Sequence, residues 1–153
     1  MTFIVSGLSP EPFLPLYGLS DGELAKHRAR RVVVNGGGFP ERIEMRDAEP
    51  GETLLLVNFE HQPADTPYRS SHAVYVREGA IERWSGDHLP DVMRRRLLSL
   101  RAFSDDGSMV DADVAEGRDA QPLIERMLGD PAVAYIHAHY AKPGCYAARI
   151  DRA

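Results

Sequence analysis

Pro131-Ala-Val-Ala-Tyr-Ile-His-Ala-His-Tyr-Ala-Lys-Pro-Gly-Cys-Tyr-Ala-Ala-Arg-Ile150 decides the fold, because it alternates like two strands joined by a tight turn. On the first strand Ala134, Ile136, Ala138 and Tyr140 share one face, and Tyr135, His137 and His139 the other. On the second, Tyr146, Ala148 and Ile150 form an apolar set opposite Cys145, Ala147 and Arg149. Directly opposed residues share a face, so the loop length decides which sets meet. A three-residue loop, Lys142-Pro143-Gly144, joins the two apolar sets and pairs Arg149 with His137. His137, His139, Cys145 and Arg149 then gather on the second face. A two- or four-residue loop would separate Cys145 from both histidines. Pro143 works against the three-residue loop by restraining Lys142, yet the burial pattern favours it.

Two chemistries suit such a face. His-x-His on a strand points both rings the same way and, with a thiolate, supplies ligand types that zinc accepts. A histidine beside Cys145 would instead make the sulfur a nucleophile. The ordinary reading is stronger: Cys145 a small, buried hydrophobe, and the histidines half-exposed and hydrogen-bonded. No fourth ligand and no paired cysteine is visible, so no metal and no cofactor is expected.

Composition bounds what surrounds the hairpin. A chain of 153 residues, 43% hydrophobic and 27% charged, fits a single globular domain spanning 1–153. Its net charge of −5 argues against nucleic acid and acidic membranes as partners. One cysteine permits no internal disulfide, and no apolar run approaches the length of a membrane span. A cytoplasmic location is expected.

Outward from the hairpin, Thr2-Phe-Ile-Val-Ser reads as a short strand, and the proline-rich 7–18 stretch as a loop pinned to the core by Phe13, Leu14, Leu16 and Tyr17. Ser20, with Glu23 three residues on, opens a short capped helix. Arg31–Asn35 is a β-branched strand running into Gly36-Gly37-Gly38. That turn matches neither phosphate-loop spacing, and the alternation of Ile43 and Met45 predicts another strand, not a helix whose dipole would face a phosphate. Glu49-Pro-Gly-Glu is a turn before the apolar strand Thr53–Phe59, which the pattern places centrally.

The polar stretch Glu60–Ser71 reads as a loop, followed by a strand His72–Arg77 and a turn into Ile81–Trp84. Loops beside rigid strands commonly carry sites. Arg69, with Tyr68, two serines and His72, is a plausible anion grip, although a solvated arginine is the commoner outcome. Leu89–Leu100 reads as a helix with Pro90 in its first turn and Met93, Leu97 and Leu100 on one stripe. Asp105-Asp-Gly107 signals a hairpin, and Gln121–Leu128 a second helix buried through Leu123, Ile124, Met127 and Leu128. Asp111 and Asp113 lack the glycine and glutamate of a calcium loop. Turn-linked strands with two or three short helices make the fold class α+β, with a largely antiparallel sheet that could be a half-closed barrel.

Val133-Ala-Tyr-Ile-His, Gly144-Cys-Tyr and Arg149-Ile-Asp-Arg152 resemble the uncharacterised bacterial family known as domain of unknown function 1203. So do Glu49-Pro-Gly-Glu-Thr-Leu-Leu-Leu, Pro67-Tyr-Arg-Ser-Ser, Leu100-Arg-Ala-Phe and Met109-Val-Asp-Ala. The resemblance spans nearly the whole chain but implies no activity, substrate or cofactor. Members often show Cys-Arg after the first glycine stretch, where this chain has Glu41-Arg42.

The leading functional class is therefore binding of a small anionic ligand by Arg69, His72, His137, His139 and Arg149. A small enzyme using Cys145, or a metal held by His137 and His139, is the alternative. A structural or regulatory homo-oligomer is the third. Any pocket is expected beside His137, His139 and Arg149, with Arg69 or His72 approaching across the sheet. Ile136 and its face are expected to be buried together with Leu54 and Leu56.

Overall fold

Two antiparallel sheets organise the chain in a computed structural model that describes residues 2–153. The strands are β1 (Phe3–Ser6), β2 (Ala29–Val33), β3 (Thr53–Gln62), β4 (Ser70–Arg77), β5 (Ser85–Gly86), β6 (Leu97–Phe103), β7 (Met109–Glu116), β8 (Tyr135–Tyr140) and β9 (Tyr146–Arg152). The helices are α1 (Asp21–Lys26), α2 (Asp91–Arg94) and α3 (Gln121–Gly129). The larger sheet runs β5-β1-β9-β8-β6-β7 and the smaller β2-β3-β4. Neither sheet closes on itself, and the α+β class with largely antiparallel sheets holds. No helix among the described residues is long and apolar enough to cross a membrane.

The hairpin β8–β9 lies at the centre of the larger sheet because nearly every residue of β8 is apolar or shielded. Ile136 pairs with Ile150, His137 with Arg149, and Ala138 with Ala148, in the register of the three-residue loop. Ile136, Ala138, Ala148 and Ile150 are fully buried with Leu98, Leu100 and Ala102 of β6, and α3 covers them through Ile124, Met127 and Leu128. Leu54 does not join this core. It packs with Val34 and Ala48, and Leu56 lines a separate cleft. The smaller sheet has its own core, in which Leu55, Val57, Val74 and Val76 meet Phe13, Leu16 and Leu24.

After Ala138 the register slips. His139 pairs with Tyr146, so Ala147 is an extra residue in β9. Such a bulge sends the residues beyond it to the other face. Tyr146 therefore leaves the Ile136 face and turns toward the histidines, stacking on His61 at 5.2 Å. Cys145 turns away from them, into the main core beside Tyr140. The expected grouping of Cys145 with His137 and His139 is thus wrong. Small side chains at Ala147 and Ala148 let either face accept them, so hydrophobicity alone did not reveal the slip.

Other expectations need correction too. Helix α2 ends at Arg94, and Leu97–Leu100 belong to β6, where they alternate between partly buried and fully buried. A short Leu-rich run fits either period, and pairing with β7 and β8 decided it. Ile43 and Met45 are buried but form no strand; isolated bridges at Pro40–Asp47 and Glu41–Tyr75 hold that segment. Strand β3 continues through His61 and Gln62 into the stretch read as loop. The Ser20 cap on α1 forms as expected, its hydroxyl accepting from Glu23 N at 3.2 Å.

Candidate functional site

Two constellations stand out, one between the sheets and one at the turn of the hairpin. The first is built by two bulges. One is at Ala147; the other lies between Glu60 and Gln62, where His61 is the unpaired residue of β3. A bulge re-aims a side chain, and His61 meets His139 at a ring separation of 5.0 Å and His137 at 6.2 Å. One ligating nitrogen from each of the three imidazoles lies within 4.8 Å of the others. Tyr146 and Phe103 pack around His137 at 5.1 Å each, and Gln62 donates to Tyr135 Oη at 3.0 Å, closing one side.

Burial governs the charge state here. His137 and His139 are 4% and 2% exposed. Withdrawal from water pushes His137 and His139 down to about 3 and His61 to about 4. Arg101, which pairs across β6–β8 with His137, adds to the shift on all three. A base whose folded pKa is depressed gives stability that is full above its unfolded value near 6.5 and lost as pH falls toward the folded value. The metal-free protein should therefore have a lower urea midpoint at pH 5 than at pH 7.5. Equal midpoints would mean that water reaches the rings.

His139 Nδ1 lies 3.0 Å from Gly144 O, and since a carbonyl only accepts, that nitrogen carries the proton. His61 Nδ1 and His137 Nδ1 are buried without a partner. Arg101 donates to Ser99 Oγ at 3.2 Å, and no carboxylate among the described residues is within ion-pair distance of it.

The second constellation is a cleft of about 640 Å³ between the smaller sheet and the α2–β6 corner. Arg42 forms its floor and is 1% exposed. It donates to Tyr146 O at 2.9 Å, to Pro40 O, and to Cys145 Sγ at 2.9 Å. Its guanidinium stands 5.0 Å over the Tyr140 ring, with that of Arg96 at 5.3 Å. Tyr140 Oη is buried without a partner, and burial pushes its pKa up to about 12. Arg95, Arg96 and Lys142 line the walls with Glu116. Asp47 pairs with Arg96 at 2.6 Å and Arg95 at 3.7 Å.

Of the five residues expected to bind ligand, only His72 lines this cleft. His137 and His139 face His61 instead. Arg149 lies opposite His137 as expected, but Asp151 holds it at 2.8 Å and its guanidinium rests 4.1 Å over Tyr135. Arg69 pairs with Glu60 at 3.0 Å, both exposed, so water screens the pair and it contributes little. Cys145 meets Arg42, and the β9 bulge leaves both histidines of β8 on the other face of the sheet. Sequence reasoning missed His61, Arg42, Arg101 and Tyr140. Only the period-2 spacing of Phe59 and His61 could have pointed to one of them.

The chain belongs to the family described as protein of unknown function (DUF1203), whose model matches residues 38–152. No curated protein and no solved structure matches it. Glu41 is fully buried and accepts from the backbone N–H groups of Ile43 at 2.8 Å and Arg77 at 3.1 Å. In this chain that position secures the turn that presents Arg42.

Proposed function

We propose that this chain binds a small carboxylate or phosphate ligand in the cleft floored by Arg42. One observation carries the reading: a guanidinium 1% exposed, with no carboxylate among the described residues to balance it. A buried charge is normally paired, because desolvation otherwise costs several kcal/mol. Two carbonyl oxygens and a sulfur satisfy hydrogen bonds but bring no carboxylate charge. Lys142 adds positive charge at the opening, and the unpartnered Tyr140 hydroxyl offers one more donor. The cleft has the size of a small-molecule site, and His72 at its rim keeps one residue of the sequence-based set.

The reading takes residues 1–153 as one domain, since Tyr146 of the larger sheet packs in the core of the smaller. It also takes the bacterial cytoplasm as the setting, which suits a single buried cysteine. The net charge of −5 speaks against nucleic acid as the anion.

The test is thermal stabilisation by inorganic phosphate and by citrate. A saturable rise in Tm is expected with at least one of them. Arg42→Met should weaken that ligand roughly 10–100-fold, the size of a lost charge-assisted hydrogen bond. Lys142→Gln, at an exposed position, should weaken it without touching the core. No saturable response in the unmutated chain, or an Arg42→Met response equal to it, would refute the proposal.

A further inference from the structure

We infer that His61, His137 and His139 form a binding site for a divalent transition-metal ion of the zinc class, with one coordination position left open to an exogenous anion. This site is separate from the Arg42 cleft and does not depend on it. The ligand types and number are those of a three-histidine centre with an open fourth position. Sequence spacing argued against a metal because it offered His137, His139 and Cys145 with no fourth ligand and no paired cysteine; the bulge in β3 supplies a third imidazole in place of the sulfur.

Four features of the geometry support it. The three nitrogens lie within 4.8 Å of one another. Bonds of about 2.0–2.1 Å to one ion require them to be roughly 3.3 Å apart, so rotations that move each ring tip by about an ångström close the site. His139 is oriented for this role. Its Nδ1–H is held by Gly144 O at 3.0 Å, leaving the lone pair of Nε2 free, which is how a metal-bound histidine is commonly fixed by a backbone carbonyl. The Nδ1 atoms of His61 and His137 are buried polar atoms with no partner, an arrangement that native interiors rarely leave unexplained. The rings are also held from outside, since His61 stacks on Tyr146 with planes 11° apart and Phe103 and Tyr135 flank His137.

The charges around the site define the fourth ligand. No carboxylate belongs to the cluster. Arg149 is neutralised by Asp151, and Glu60 is engaged by Arg69. Arg101 has no acidic partner among the described residues and faces the trio from β6. A dication beside an unbalanced guanidinium requires an anion between them. Hydroxide, a carboxylate or a phosphate oxygen would take the open position and accept from Arg101.

Protein made without a histidine tag, stripped with chelator and titrated with Co²⁺ tests this directly. One Co²⁺ per chain is expected, with the visible absorption of a four- or five-coordinate ion. Zn²⁺ should displace it. His61→Gln should weaken binding by roughly 100-fold or more, whereas His27→Ala, on an exposed histidine, should not change it. If His61→Gln does not fold, the unmutated chain still decides, because bound Co²⁺ must give the large through-bond contact shifts of metal-bound rings to all three imidazoles and to no other histidine. Adding azide should perturb the cobalt spectrum, and less so in Arg101→Gln. Absence of saturable Co²⁺ binding, binding unaffected by His61→Gln, or shifts confined to other histidines would overturn the metal site. A spectrum indifferent to azide would overturn the open position.

Discussion

Replacing Ile136 by Ala lowers the unfolding free energy by about 2–5 kcal/mol, measured as a shift of the urea midpoint at constant slope. Ile136 has no exposed surface and sits where β6, β8 and β9 meet under α3. It pairs with Ala102 on one side and Ile150 on the other. Neither neighbour is free to fill the space, because Ala102 is short and Ile150 is held between β8 and β1. Removing three carbons therefore forfeits their transfer free energy and leaves a void lined by rigid strands, which puts the cost in the upper part of that range. A loss below about 0.5 kcal/mol, typical of surface positions, would contradict the burial of this face. The same substitution should leave phosphate and Co²⁺ affinities of the folded fraction unchanged, since Ile136 faces away from the histidines and does not line the cleft.

How far the molecule was legible from its sequence follows from where local pattern and long-range contact agree. The period-2 alternation of Ile136, His137, Ala138 and His139 predicted their faces, because a strand buried on both sides cannot slip without moving every side chain. That alternation also set His137 opposite Arg149, as found. Around the histidines the failures are the two bulges. Neither Ala147 nor His61 differs in type from a regular strand residue, and a bulge is selected by what the partner strand does. Hence Cys145 and Tyr146 were exchanged between faces, and His61 was left in a loop. Arg42 was invisible for another reason. Its partners Cys145 and Tyr146 lie 103 and 104 residues along the chain, beyond the reach of any spacing rule. The metal-type trio has the same origin, with one imidazole on each side of the gap between two sheets and a third two residues further along its strand. A chain read locally shows the ligand types. Only the folded pairing shows that they converge.

Gly117→Ala is expected to cost about 1–3 kcal/mol or more, the range of an overpacked core, although alanine is ordinarily the mildest of substitutions. Gly117 begins a single 3₁₀ turn after β7 and is buried, with its N–H donating to Arg96 O at 2.8 Å. A β-carbon there would stand 1.9 Å from Met93 O, 2.8 Å from Met93 C and 2.9 Å from Arg94 Cα. These are backbone atoms of α2, so no side-chain rotation relieves the clash, and the helix must move by about an ångström to restore van der Waals distance. The movement has two consequences. Met93 and Val92, both buried, lose their fit in the main core. Arg95 and Arg96, which follow directly on α2, shift at the wall of the cleft, and Arg96 stands 5.3 Å over Tyr140 there. The variant should therefore unfold at lower urea and, at a temperature where it remains folded, bind phosphate or citrate more weakly than the unmutated chain. Co²⁺ binding should be unchanged, because His61, His137 and His139 are carried by β3 and β8. Wild-type stability in Gly117→Ala would show that α2 and the turn are not in contact. Loss of Co²⁺ binding along with anion binding would show that the two constellations form one cooperative unit instead of two independent sites.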